Sequence, residues 1–311
     1  MTTRRLAALV CTAVAGTLLL TGLARAAPAL DQQQTTLDLS RVLVIGGNRP
    51  QTLAQVVTSG TAGLLTQIDL PVACGDSSLV VEVRDSGATI PGTNILVSQT
   101  VTGLADTEDW KPIMLNSPPF ITDETMFAIV LSSPSSCGIL AGPNGADPYP
   151  RGNGLYLYPP YPWGPAGADL GFKTYVEAIC QVPALVGSPR PDGPALEKYG
   201  CALGTVKTAY SRDVATGDVI SQSQPEGTRL PAASKVDVVV SLGARPCKVP
   251  NVRRMRLARA KATLTRALCR VGSVRKVRSA KAMTGRVIRQ RPAPGTRLPE
   301  GGRVSLVIGR R

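Results

Sequence analysis

The feature that most constrains this chain is a sequence written twice. The segment Gly217-Asp-Val-Ile-Ser-Gln-Ser-Gln-Pro-Glu-Gly-Thr-Arg-Leu-Pro231 recurs as Gly285-Arg-Val-Ile-Arg-Gln-Arg-Pro-Ala-Pro-Gly-Thr-Arg-Leu-Pro299, an offset of 68 residues. Val236-Asp-Val-Val-Val240 likewise returns as Val304-Ser-Leu-Val-Ile308, and Cys201-Ala-Leu-Gly-Thr-Val206 as Cys269-Arg-Val-Gly-Ser-Val274. Upstream the offset falls to 67, from Val182-Pro183 to Val249-Pro250, so the first copy lacks one residue there. Self-similarity at a fixed period means one supersecondary unit used twice. The carboxyl-terminal part is therefore read as two small units, 179–243 and 247–311, joined by a linker at 244–246.

Local patterning predicts how each unit folds. In the second copy Leu257, Ala260, Leu264, Ala267 and Leu268 form an apolar helical stripe, with Arg256, Arg259, Thr263, Arg266 and Arg270 on another face. Runs rich in β-branched residues follow Gly272, Gly285 and Gly302, separated by Gly/Pro turns. Gly295 in the Pro-Gly-Thr-Arg-Leu-Pro loop supplies positive φ. In the first copy Pro189, Pro191 and Pro194, with Gly187 and Gly193, shorten the helix to 194–199. Each unit reads as one helix on a three-stranded sheet, an α+β repeat.

Cysteine usage fits the same division. Cys11 falls in an amino-terminal stretch with Arg4 and Arg5 ahead of an apolar run and Ala24-Arg25-Ala26 behind it, so 1–26 reads as a signal peptide cut after Ala26, the alternative being an uncleaved anchor. That leaves six cysteines in an exported chain, with about 15 possible pairings. Cys180 and Cys201 are 21 apart, Cys247 and Cys269 are 22 apart, and both pairs bracket matching sequence. Each pair is expected to close within its unit, leaving Cys74 for Cys137. No C-x-x-C spacing supports a metal site.

The order Val-Pro, helix, Gly-x-Val, Gly-x-Val-Ile-x-Gln-x-Pro-x-x-Gly-x-x-Leu-Pro and a closing Val-rich strand resembles the PASTA domain of bacterial penicillin-binding proteins and wall-sensing serine/threonine kinases. The likeness covers about 180–243 and 247–309, the second copy more closely. Gln224-Pro225 shifts the usual proline of the first copy by one position. The resemblance implies extracellular recognition of cell-wall material, typically peptidoglycan fragments, or a spacer role. No S-x-x-K with K-T-G and no Gly-rich phosphate loop accompanies the repeats.

Charge is segregated along the chain. Residues 27–179 carry six basic and fourteen acidic side chains, whereas 247–311 carry nineteen basic residues against Glu300 alone. A field of that strength raises self-repulsion and calls for an anionic partner. Arg253, Arg254, Arg256, Arg259, Arg275, Lys276, Arg278, Lys281, Arg289 and Arg291 are the candidate contacts for peptidoglycan or an anionic wall polymer, with Arg286 among them in sequence. The alternative is a solvated cationic surface without a ligand. Nucleic acid is disfavoured, because the second repeat has no aromatic residue for base stacking.

Residues 27–35 read as an amino-terminal linker and 36–178 as an all-β sandwich, from short alternating runs such as Leu79-Val-Val-Glu-Val-Arg84 and Met126-Phe-Ala-Ile-Val-Leu131. The runs Gly63-Leu-Leu-Thr-Gln-Ile-Asp-Leu-Pro71 and Asp169-Leu-Gly-Phe-Lys-Thr-Tyr-Val176 make this segment similar to secreted bacterial jelly-roll modules. Tyr156, Tyr158, Tyr161 and Trp163 lie in a Pro-rich loop as candidate rings for stacking on sugars; the competing reading packs Tyr156 and Tyr158 inward from a strand while Trp163 plugs the end of the sandwich. A carbohydrate or a protein is the expected ligand of the sandwich. Histidine is absent, which removes every His-based catalytic scheme. Asp106, Glu108, Asp109, Asp123 and Glu124 offer a glycosidase pair but lie in turn-like, solvent-facing sequence, and Asp147, Asn153 and Asp169 offer a calcium site whose spacing matches no loop motif. No cofactor or metal is expected, and no span beyond the signal is long enough to cross a membrane. The chain reads as a non-catalytic, exported, wall-associated protein, or as an interaction protein whose repeats are spacers.

Overall fold

The computed structural model describes residues 27–48, 50–87 and 89–311; the expected signal peptide at 1–26 lies outside them. Among the described residues the amino-terminal domain has the strands β1 (Ala29–Gln34), β2 (Asp38–Gly46), β3 (Thr52–Thr58), β4 (Gly63–Ala73), β5 (Leu79–Ser86), β6 (Pro91–Val101), β7 (Trp110–Met114), β8 (Phe120–Ile121), β9 (Met126–Ser132), β10 (Ser136–Ala141), β11 (Gly152–Leu157), β12 (Gly164–Pro165) and β13 (Phe172–Gln181). They form two antiparallel sheets. One runs β1-β13-β4-β10-β2 with β7 and β8 also on β4, and the other runs β12-β11-β3-β9-β5-β6.

Alternation explains how the sheets face each other. Leu79, Val81 and Val83 of β5 point into the core beside Phe127, Ile129 and Leu131 of β9, while Glu82 and Arg84 point out. Across the sandwich the core is met by Leu65, Ile68, Leu70 and Val72 of β4. Strict alternation would not place Leu65 and Ile68 on one face. A bulge does so, since Gln67 pairs with Tyr175 but Leu65 pairs with Val176, leaving Thr66 as the extra residue.

One boundary differs from the sequence reading. Residues 27–35 are not a linker, because β1 pairs with β13 from Ala29↔Val176 to Gln34↔Phe172. Its Asp-Gln-Gln-Gln run shows no apolar alternation, so the strand is held by backbone pairing and polar contacts: the Gln32 N–H donates to Thr174 Oγ1 at 3.1 Å. At 178–179 the chain passes from sandwich to repeat within one strand: β13 continues to Gln181, and its last residues pair with β16 (Arg229–Pro231) of the first repeat, Cys180 opposite Leu230, as Cys247 pairs with Leu298 in the second. The Lys198 carbonyl also accepts the Asp123 N–H at 3.0 Å.

The repeats share one topology. The first has α1 (Gly193–Glu197), β14 (Ala202–Ala209), β15 (Val219–Gln222) and β17 (Lys235–Ser241), in the order β14-β17-β15. The second has β18 (Cys247–Lys248), α2 (Leu257–Arg266), β19 (Arg270–Arg278), β20 (Val287–Arg291), β21 (Arg297–Leu298) and β22 (Arg303–Arg310), in the order β19-β22-β20, with β18 pairing β21. Ala260 and Leu264 bury the apolar stripe of α2 against Val287, Val304, Leu306 and Ile308. Leu268 falls beyond the helix, at φ 59°, where the Cys269 N–H donates to the Leu264 carbonyl. Gly200 occupies that left-handed cap in the first repeat. Disulfides join Cys74 to Cys137, Cys180 to Cys201 and Cys247 to Cys269.

Candidate anion-binding face

The glutamine of the repeated Val-Ile-x-Gln run fixes the segment leading into each helix. In the second repeat buried Gln290 accepts the Val252 N–H at Oε1 (2.8 Å) and donates from Nε2 to the Pro250 carbonyl (2.9 Å). In the first, Gln222 accepts from Leu185 N–H at 2.9 Å and donates to Pro183 O at 3.1 Å. The Pro-Asn-Val lead-in is thereby pinned beside β20, and Asn251 Oδ1 accepts the Arg253 N–H at 3.1 Å. This is what sets Arg253 next to the sheet.

Register then determines which cations gather there. Val304, Leu306 and Ile308 of β22 face the helix, so Arg303 and Ser305 occupy the open face, with Arg291 opposite Ser305 and Arg289 opposite Val307. Arg253, Arg289, Arg291 and Arg303 line a groove of about 630 Å³ floored by Gln290, Pro292, Ala293 and Ser305. Of the expected contacts, Arg253, Arg289 and Arg291 meet in this groove. Arg275 lies on the same sheet face but across β22, paired with Val307, while Lys276 and Arg278 continue along β19 and Lys281 follows it. Arg254, Arg256 and Arg259 cluster instead at the start of α2. Arg256 caps that helix without a side-chain hydrogen bond, whereas Asp192 in the first repeat accepts the Ala195 N–H at 2.9 Å. Cations there oppose the helix dipole. Arg303 escaped the sequence reading, although strict alternation of the closing strand marks its face.

No carboxylate answers these charges. Glu300, the sole acidic residue of 247–311, forms a bidentate ion pair with Arg212 of the first repeat. Among the described residues none of the ion pairs involves the four groove arginines. The corresponding groove of the first repeat, about 430 Å³, is lined by Val186, Ser221, Gln222, Ser223 and Glu226. Applying the repeat offsets, Val186, Ser221, Ser223 and Lys235 stand where the second copy has Arg253, Arg289, Arg291 and Arg303. The shape is repeated and the charge is not.

The aromatic loop does not form one platform. Trp163 packs on the outer side of the second sheet against Ala54, Val56, Ala128, Val130 and Leu155. Tyr156 pairs with Gly164, and its ring lies over that glycine. Tyr158 and Tyr161 stack on each other at 6.4 Å, with Tyr161 65% exposed. Among the described residues, this tyrosine pair alone offers stacked rings to solvent.

The acidic candidates are likewise dispersed. Glu124 pairs with Arg151 at 2.9 Å and Asp109 with Lys111 at 3.8 Å, while Asp106, like Asp109, lies exposed in the stretch leading to β7. Buried Asp169 accepts Gln55 Nε2 at 3.0 Å and the Tyr149 N–H at 3.2 Å, and Gln55 Oε1 accepts the Leu170 N–H at 2.8 Å. Burial pushes the Asp169 carboxyl above its ordinary range, against the hydrogen bonds from Gln55 and Tyr149. Burial likewise pushes the Tyr149 phenol up to about 12. Asn153 donates to Thr89 O at 3.4 Å, apart from Asp169. These contacts brace the two sheets.

Residues 194–242 and 248–310 match the model of the PASTA domain family, and the two repeats are PASTA domains. A probable serine/threonine-protein kinase of Clostridium acetobutylicum is 35% identical over 132 residues, 42% of this chain and 20% of that protein. A second probable serine/threonine-protein kinase, from Streptomyces coelicolor, is 29% identical over 129 residues, 42% of this chain and 19% of that protein. The chain thus spans about a fifth of the length of these curated relatives. Among solved structures, the three-PASTA-domain region of a Ser/Thr kinase from Staphylococcus aureus is 21% identical, covering 42% of this chain and 66% of that one at a TM-score of 0.36. The repeats indicate an extracellular, cell-wall-related role, and the matched regions are PASTA regions rather than catalytic ones. Three disulfides fit an oxidising compartment. Among the described residues no helix is long and apolar enough to cross a membrane.

Proposed function

We propose that a chain whose carboxyl-terminal part is two PASTA domains is an exported, non-catalytic protein that attaches to peptidoglycan or to an anionic polymer of the cell wall. The observation that carries this reading is the groove of Arg253, Arg289, Arg291 and Arg303, uncompensated by any acidic side chain of its own repeat. A surface of that kind is costly in self-repulsion unless an anion is bound to it.

The spacer reading applies to the first repeat. Its groove lacks the arginines, and its entry strand is the direct continuation of the last strand of the sandwich. The acidic sandwich then presents its own surface to a carbohydrate or protein, with Tyr158 and Tyr161 the side chains best disposed for a flat ligand. Neither activity needs a cofactor. Incubating the disulfide-bonded protein from residue 27 onward with purified sacculi tests the proposal. Retention that is lost when 247–311 are removed supports it, and a protein that stays in solution refutes it.

A further inference from the structure

The second PASTA domain carries a groove whose chemistry is narrower than wall binding in general. We infer that the open sheet face bearing Arg253, Arg289, Arg291 and Arg303 is a site for a phosphodiester polymer, and that the equivalent face of the first repeat has no such activity. This inference rests on the wall-attachment reading and specifies its ligand.

Arg289 and Arg291 are two positions apart on β20 and share a face, so their side chains leave the backbone at a spacing of about 7 Å. Arg303 stands on the neighbouring strand, two residues before Ser305, the partner of Arg291. Arg253 closes the other wall of the groove, held there by the Gln290 and Asn251 hydrogen bonds. The result is a row of planar forks along an open trough. A guanidinium binds phosphate oxygens through paired N–H donors, which an ammonium cannot do, and all four positions are arginine. A trough open at its surface suits a chain that lies across it and meets the forks with successive charges. The second repeat has no aromatic side chain to stack a base or a sugar, so the backbone of the polymer is what it reads. In the first repeat, Ser221, Ser223 and Val186 remove three forks, the fourth position holds Lys235, and Glu226 adds a negative charge to the groove lining.

Purified poly(glycerol phosphate) is the probe, titrated against the disulfide-bonded protein from residue 27 onward over a range of salt. Four contacts predict a log K against log salt slope of about −2.8, taking the single-strand value per phosphate. The double variant R289S/R291S, which installs the first repeat's residues, is expected to lower the slope by about 1.4 and to weaken binding about tenfold or more at low salt. The reciprocal S221R/S223R is expected to steepen the slope. K261Q/R266Q removes equal charge from the exposed side of α2 and is expected to bind within about twofold of the parent. Equal loss in the helix variant and the groove variant would overturn the inference in favour of a diffuse field. Equal affinity for poly-glutamate, or for phosphatidylglycerol vesicles, would overturn it in favour of carboxylates or a lipid surface. Sacculi stripped of phosphate separate the two readings: retention of parent and R289S/R291S alike, without binding to the polymer, removes this inference and leaves wall attachment standing. Binding to neither material removes both.

Discussion

Replacing Gln290 with alanine tests the logic of the repeat at its most economical point. The Gln290 side chain makes two hydrogen bonds, to the Val252 N–H and the Pro250 carbonyl, and Val252 is fully buried. Truncation leaves the Val252 N–H without its protein partner. A buried orphan donor costs about 2 kcal/mol, and the lost bond to Pro250 adds about 1 kcal/mol. A destabilisation of about 3 kcal/mol is large against the roughly 5–15 kcal/mol that holds a typical domain together. Because the second repeat lacks aromatic residues, unfolding is followed by far-UV circular dichroism and by amide hydrogen exchange of Val252. The expected outcome is a lower urea midpoint for this repeat together with faster Val252 exchange. Gln290→Glu sharpens the test. One carboxylate oxygen still accepts from Val252, but the other faces the Pro250 carbonyl, so the variant regains stability as falling pH protonates it. Unchanged Val252 exchange with a stability loss under about 0.5 kcal/mol, the size of a neutral surface change, would refute the reasoning.

Further outcomes follow from the same geometry. Replacing Cys247 and Cys269 by serine opens a loop of 22 residues and is expected to cost about 3 kcal/mol, while opening the 63-residue Cys74–Cys137 loop costs about 4 kcal/mol, both read as midpoint shifts in urea. Leu264→Ala removes a fully buried side chain from α2 and is expected to destabilise the repeat by about 3 kcal/mol in the same assay. Arg256→Asp supplies the missing cap of α2 and is expected to stabilise it by about 1 kcal/mol; a loss of stability would show that Arg256 makes a contact of its own. Asp169 has a native pKa raised by burial, so the folded state holds its proton more tightly than the unfolded chain does. Its ionisation therefore opposes folding above the raised pKa, and its contribution improves as pH falls from there toward the ordinary value of 3.8. The difference in melting temperature between parent and Asp169→Asn across that window measures the effect, and a pH-independent difference would contradict it.

The repeats were legible because two periodicities coexist in them. The 3.6-residue stripe of Leu257, Ala260 and Leu264 and the two-residue alternation of Val304, Leu306 and Ile308 each have a single packing solution, helix on sheet. The alternation of the closing strand also contained Arg303, but a count of charges along the sequence gives no weight to the side of a sheet. Strand β1 was illegible for a different reason. Ala29–Gln34 buries Gln34 to 2% exposure and joins an existing edge through its backbone, and a polar run carries no pattern that announces this. The bulge at Thr66 hid the true phase of β4. Trp163 was read as a possible sugar platform because its loop is rich in proline; the outer side of the second sheet carries Ala54, Val56, Ala128 and Val130, small apolar residues that a large ring covers. A strand buried on both faces gives a continuous apolar run, and the sequence alone does not say what lies over its second side.

Wall attachment is decided by co-sedimentation of the disulfide-bonded protein, from residue 27 onward, with purified sacculi. It is compared with the same protein ending at 246, which leaves the β13–β16 junction of sandwich and first repeat intact. The account predicts retention of the longer protein and release of the shorter one, with retention weakened by salt. Equal retention of both would move the binding surface to the sandwich or the first repeat, and no retention of either would contradict wall attachment altogether.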